Sequence, residues 1–283
     1  MGWNEWPLMI FTVLAQCAIG AYWFCAVAVL ANAGGEHASR RLEKMMLLIW
    51  VFVGIGFLCS AFHLGSPFRA GNALIRVGQA PLSNESLFGP LFIACGGLAW
   101  LLAVWGKTPG LRKLLLAAGL VVSVIFLWAM TSFYMMSTVP TWDNWTTPFA
   151  FVTTALLGGA ALANVLFKMA GVSVASARGI NFLLVTVACI AIVLAAVITI
   201  NVAAMLPHIH SSIQAASELS PDMAMLQTWR FILLALGVGI LVSQFVKKNN
   251  APVVAIVVLC LMVVGEGIGR GVFYALYMTV GLV

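Results

Sequence analysis

The sequence predicts an all-α integral membrane protein: one bundle of eight transmembrane helices with both termini periplasmic. Three observations carry this expectation. Of 283 residues, 63% are hydrophobic and only 8% are charged, against roughly 45–50% apolar and about 25% charged in soluble domains. The apolar residues gather in eight runs, each close to the roughly 20 residues that cross a bilayer as a helix. The basic residues alternate between one set of connections and the other. The runs are continuous rather than alternating, which excludes the pattern of an outer-membrane barrel. No stretch between them is long enough for a soluble domain. Residues 1–283 therefore read as a single transmembrane domain, and any hydrophilic catalytic module belongs to another polypeptide.

The spans follow in order at 7–31, 45–62, 87–105, 114–136, 148–168, 180–206, 229–246 and 252–274. Trp3 and Trp6 before the first suit an interfacial aromatic belt. No basic n-region precedes it, so nothing marks a cleaved signal. The first connection holds Arg40, Arg41 and Lys44, and the third holds Lys107, Arg112 and Lys113. Lys168 and Arg178 flank the fifth, and Lys247 and Lys248 lie in the seventh. The even connections hold only Arg69 and Arg76. An excess of Lys and Arg marks the cytoplasmic side, so the odd connections face the cytoplasm.

The same distribution accounts for the net charge of +6. A nucleic-acid partner needs basic residues gathered on one face, and here they are spread over four turns beside anionic lipid. The six cysteines, Cys17, Cys25, Cys59, Cys95, Cys189 and Cys260, all fall within apolar runs and none forms a C-x-x-C pair. That leaves neither an iron–sulfur ligand run nor a structural zinc site in the chain.

Polar groups concentrate on the opposite side. The second connection, 63–86, runs from His63 through Ser66, Pro67, Arg69, Asn72, Arg76 and Gly78. Ser66 as cap, Pro67 at the first position and Gly78 as the stop predict a short interfacial helix with Arg69, Asn72 and Arg76 on one face. Ser83 or Asn84 is then expected to cap the third span, with Glu85 in its first turn. The sixth connection, 207–228, adds His208, His210, Glu218 and Asp222, and Arg230 opens the helix after it. In the last span, Glu266 and Arg270 stand one turn apart, the spacing at which helical side chains meet. Ionisable residues inside a membrane are expensive and mark function by default. Gly265, Gly267, Gly269 and Gly271 around them allow close helix approach.

These residues resemble a known family. Trp3-x-x-Trp6-Pro7-Leu8, His63-Leu64-Gly65-Ser66-Pro67 with Arg69-Ala70, Leu82-Ser83-Asn84-Glu85, Thr138-Val139-Pro140-Thr141-Trp142, Ile209-His210-Ser211-Ser212, Gly265-Glu266 and Ile268-Gly269-Arg270 run in order along the chain. Together they are similar to the membrane anchor subunits of dimethyl sulfoxide reductase and a close paralogous oxidoreductase. The resemblance implies an eight-helix, haem-free anchor in the bacterial inner membrane that oxidises menaquinol during anaerobic respiration. It implies two partners, a four-cluster ferredoxin-like iron–sulfur subunit and a molybdopterin catalytic subunit. The positions matching His63 and Glu85 belong to the family's quinol site. Ala275 and Tyr277 stand where the family pattern has glycine and histidine, and Gly71 where it has a bulkier residue.

On this reading His63 and Glu85 are the bases for the two quinol protons, since an imidazole titrates near working pH. Ser66, Arg69, Glu266 and Arg270 complete the quinol-binding set, and electrons leave to the partner's iron–sulfur cluster. Two alternatives stand beside it. A b-type cytochrome anchor would need axial histidines near the ends of its spans. A small-solute or ion transporter would line its path with Glu266 and Arg270, but no inverted repeat accompanies them.

Overall fold

A computed structural model describes residues 2–63, 71–72, 74–211 and 214–279. Among the described residues, eight helices are long and apolar enough to cross a membrane. They are built from α1 (Trp6–Leu30), α2 (Glu36–Met45) with α3 (Leu47–His63), α4 (Pro81–Trp105), α5 (Pro109–Tyr134), α6 (Thr146–Ala170), α7 (Arg178–Met205), α8 (Met223–Val246) and α9 (Pro252–Ala275). Successive spans reverse direction. One end of the bundle therefore collects both termini, and the other collects the turns that carry ten basic residues. These are the terminal end and the basic end below.

Several boundaries differ from expectation for a common reason. Prolines 81, 109 and 252 each stand as the first residue of a helix, where a fixed φ and a missing N–H cost nothing. Helix α4 thus begins at Pro81 rather than behind a Ser83 or Asn84 cap, and Glu85 lies in its second turn. The Asn84 side chain instead reaches back, its Oδ1 accepting the Gly78 N–H at 2.7 Å. Gly78 does take the left-handed conformation expected of a stop (φ +84°). Residues 66–70 and 73 of the proposed 66–78 helix lie outside the described residues, and the rest of it forms 3-10 and turn structure at 71–72 and 74–78 rather than an α-helix. Helix α8 begins at Met223, so Arg230 lies two turns inside it rather than at its opening.

The basic turns are more structured than simple loops. Helix α2 carries Arg40, Arg41 and Lys44 and buries Leu42 and Glu43. Glu43 forms an ion pair with Arg112 Nε at the start of α5, at 2.8 Å. Helices α4 and α6 stop at Gly106 and Gly171, both left-handed (φ +69° and +80°), the conformation that closes a helix C-terminus.

Helices α1 and α6 form the buried centre, and the other spans surround them with one face toward lipid. The central pair touch backbone to backbone. A Cβ added at Gly20 would sit 1.8 Å from the Ala155 carbonyl oxygen, and one at Gly159 would sit 2.5 Å from Gly20 Cα. Gly158 makes room in the same way for the Cys17 sulfur, 2.1 Å from where its Cβ would lie. Lipid supplies no hydrophobic drive for helices to associate, so close contact between small residues carries the packing.

Gly159→Val should therefore disrupt the bundle by more than the about 1–3 kcal/mol of ordinary overpacking, because the obstacle is backbone. Gly267→Val, at a position with nothing within 4 Å of the added Cβ, should be tolerated. Thermal unfolding of both variants in detergent checks the contrast.

Candidate functional site

The α1–α6 contact places Gln16 and Thr154 side by side, and a buried polar network grows from them. Arg270 Nη2 donates to Gln16 Oε1 at 2.7 Å and to Thr154 Oγ1 at 3.3 Å. Thr154 Oγ1 in turn donates to Glu266 Oε2 at 2.5 Å. Glu266 accepts from Arg230 Nη2 at 3.1 and 3.3 Å, and Arg230 Nη1 donates to Gln227 Oε1 at 3.3 Å. The network joins α1, α6, α8 and α9. Counting the helical rise, its members lie between about 6 and 15 Å from the terminal ends of their helices, within the terminal half of a bilayer about 30 Å thick.

The sequence spacing predicts a Glu266–Arg270 pair, but the ion pair is Glu266–Arg230. Arg230 approaches across Gly269, where a Cβ would come within 2.6 Å of the guanidinium. Gly269 therefore makes space for a side chain rather than for a helix backbone. Arg270 meets Glu266 only through the Thr154 hydroxyl. Its guanidinium lies 3.9 Å from the Phe151 ring centroid, the geometry of a cation–π contact. Two guanidiniums and one carboxylate leave this buried cluster with one surplus positive charge.

Next to the network, at the terminal end, lies a cavity of about 800 Å³. Its wall comes from the start of α1 (Leu8), the end of α5 (Phe133, Tyr134) and the end of α9 (Tyr274, Ala275). Trp142, Glu218 and Tyr277 complete it from the connections. Tyr134 and Tyr274 share a hydrogen bond of 2.5 Å between their hydroxyls. Trp142 stacks on Phe273 at 5.0 Å and donates its indole N–H to the Phe273 carbonyl at 2.8 Å. Thr141 Oγ1 donates to the Leu276 carbonyl at 2.6 Å. Those two bonds satisfy carbonyls that the end of α9 leaves open, and they hold the 137–145 connection against the cavity. Tyr277 packs its ring on Trp142 at 5.0 Å, and both residues line the cavity.

The predicted residues divide into three groups. Glu266 and Arg270 are brought together in the network. Glu85 is buried in α4, within electrostatic reach of both cavity phenols, Tyr134 and Tyr274. His63 ends α3 at the terminal end, and its side chain, with Ser66 and Arg69, lies outside the described residues. His208 and His210 are exposed. Among the described residues no cluster of three or more His, Cys, Asp or Glu side chains has the arrangement of a metal site.

Sequence reasoning overlooked Gln16, Thr154, Tyr134 and Tyr274. Gln16 carried a usable signal, since it is the one amide within an otherwise apolar first span. The tyrosines carried none, being 140 residues apart.

Comparison with known proteins gives one answer throughout. The family model described as DMSO reductase anchor subunit (DmsC) matches residues 1–276. The C chain of the anaerobic dimethyl sulfoxide reductase of Escherichia coli strain K12 is 43% identical over 284 residues, covering 99% of this chain and 98% of that one. The YnfH chain of anaerobic dimethyl sulfoxide reductase in the same organism is 42% identical over 283 residues, with the same coverage. The corresponding C chain from Haemophilus influenzae is 35% identical over 290 residues, again covering 99% and 98%.

Removing one partner of a buried ion pair leaves the other charge uncompensated, at a cost of about 3–5 kcal/mol. Glu266→Gln should therefore destabilise the bundle by about that amount, because it leaves two guanidiniums facing no carboxylate. The double variant Arg230→Met/Glu266→Gln should recover much of the loss. Unfolding midpoints in detergent distinguish the two.

Proposed function

The chain belongs to the DMSO reductase anchor subunit family, and on that premise we propose that it binds menaquinol at the terminal end and oxidises it for a partner reductase. The cavity beside the paired phenols is the observation that carries this reading. It is large enough for an aromatic headgroup, apolar and aromatic over much of its wall, and supplied with hydroxyls at one side, the usual character of a small-molecule site.

Oxidation of a quinol to a quinone releases two electrons and two protons. The chain's own residues supply the proton chemistry. In the phenol pair, one hydroxyl donates to the other, and the acceptor's own O–H is left to donate to an oxygen of the substrate. Glu85, buried within electrostatic reach of these phenols, takes one proton. His63, assigned by the family resemblance, takes the other, with Ser66 and Arg69 of the same connection completing the site. The surplus positive charge of the Arg270–Glu266–Arg230 cluster favours a substrate hydroxyl as it gives up its proton, acting through Tyr274, which follows Arg270 by one turn. Nothing in this chain is proposed to store electrons: the reading is haem-free, and both electrons pass to a four-cluster ferredoxin-like iron–sulfur subunit and on to a molybdopterin catalytic subunit.

The positive-inside distribution supports placing the basic end in the cytoplasm and the terminal end in the periplasm. Protons from the quinol are then released on the periplasmic side.

His63→Ala and Glu85→Gln are expected to abolish quinol-supported reductase activity while leaving membrane attachment and activity with an artificial dye donor intact. Tyr134→Phe or Tyr274→Phe should slow quinol turnover roughly tenfold, the size of one neutral hydrogen bond. Steady-state assays of the assembled complex with quinol and dye donors check both. Normal quinol turnover in all four variants would remove these residues from the site, and a stoichiometric b-type band in the visible spectrum of the purified protein would overturn the haem-free reading.

A further inference from the structure

At the basic end, away from the cavity, a groove of about 500 Å³ lies between the 171–177 connection and the 247–251 turn. Val174, Ala175, Phe245 and Val246 form its apolar part, and Arg178 and Lys248 supply two cations. Lys168 lies directly behind it, against the same Val174 and Phe245. Lys168 as a residue is 7% exposed, and its ammonium's partners are two neutral side-chain carbonyls, Asn181 Oδ1 at 3.3 Å and Asn250 Oδ1 at 3.4 Å.

Among the described residues no carboxylate pairs with these charges. Of the chain's eight acidic residues, only Glu36 and Glu43 lie at the basic end, and both are engaged elsewhere. Glu36 pairs with Arg40 at 2.5 Å and Glu43 with Arg112 at 2.8 Å. Lys168, Arg178 and Lys248 therefore gather around one groove, with no carboxylate among the described residues paired to them. Lys168 is buried against neutral amide oxygens, whereas Arg178 and Lys248 are exposed in the groove lining, where an anion from outside the chain can reach them.

The groove is also held open in advance. Asn250 Oδ1 accepts the Val174 N–H at 3.2 Å, and Asn250 Nδ2 donates to the Lys248 carbonyl at 3.2 Å. One side chain thus ties the two turns together. Lys248 adopts a left-handed backbone (φ +52°), unusual for a side chain of its kind. Beside the groove, Phe182, Val246 and Val253 are exposed on what becomes the lipid-facing surface.

We infer that this groove binds the phosphate headgroup of an anionic phospholipid, with its acyl chains along the exposed apolar faces of α7 and α8. Cationic pockets between helices on the cytoplasmic side of a membrane have the chemistry that such headgroups require. Free phosphate would satisfy the cations but not the adjoining apolar surface.

Native mass spectrometry of the full-length protein in detergent, titrated with phosphatidylglycerol, phosphatidylcholine or inorganic phosphate, tests this. Wild type should retain phosphatidylglycerol selectively. Arg178→Gln/Lys248→Gln should bind it roughly 25-fold more weakly, since each cation near a lipid surface is worth about a factor of five. Lys107→Gln/Lys113→Gln, which removes the same charge from another basic turn, should leave binding unchanged. Equal retention of phosphatidylcholine by wild type would overturn the inference without any variant needing to fold. Equal weakening in both double variants would replace the site with diffuse attraction, and competition by inorganic phosphate at comparable concentration would replace the lipid with a free anion.

Discussion

The contact between Gly20 and Gly159 is the constraint on which the rest of the bundle depends. In hydrocarbon, a guanidinium is stable only where the protein supplies its acceptors. Arg270 finds two of them, Gln16 and Thr154, on two different helices. Each offers a single side-chain oxygen from its own helix. They reach one cation only because α1 and α6 approach until their backbones touch. A wider crossing would separate the acceptors, strand Arg270, and release the Thr154 hydroxyl that links it to Glu266. Packing of small residues and neutralisation of charge are therefore one requirement, met at one place.

That dependence explains which parts of the structure were legible in the sequence. The spans were legible because bilayer thickness imposes a length and lipid imposes a composition, and both are local properties. Helix starts were less so, since hydropathy marks where a helix enters lipid and not where its first turn forms. Pro81 and Met223 begin α4 and α8 about six residues before the apolar runs at 87 and 229. This displacement moved Glu85 and Arg230 from helix entrances to buried interiors. The choice of partner was not legible at all. Spacing along α9 favoured Arg270 for Glu266, but Arg230 arrives from α8 over the missing side chain of Gly269. A helical repeat describes neighbours on one helix and is silent about the next.

The candidate site shows the same division. Glu266, Arg270 and Glu85 stood out because charge in an apolar sequence is conspicuous. Tyr134 and Tyr274 did not, because aromatic residues are ordinary in a membrane protein and become informative only when the ends of two helices bring them together. The motif 138–142, visible as a family resemblance, acquires a physical reason in the bonds from Thr141 and Trp142 to the last carbonyls of α9. It closes a helix terminus and shapes a cavity wall with the same atoms.

Helix α9 joins these features into one mechanical unit. Along successive turns it presents Glu266 to Arg230, Arg270 to Gln16 and Thr154, and Tyr274 to Tyr134. A rotation of α9 that spoiled any one of these contacts would spoil the others, because all three lie on one face at spacings of four. The cavity phenol is thus fixed in place by two buried cations deeper in the bilayer. For the proposed chemistry this matters more than the charge alone: removing a proton from a bound quinol demands a hydroxyl held at a constant distance, and side chains at a membrane surface are otherwise free to move with solvent. The stability invested in burying Arg230, Glu266 and Arg270 becomes positional precision at Tyr274, which is where the proposed chemistry needs it.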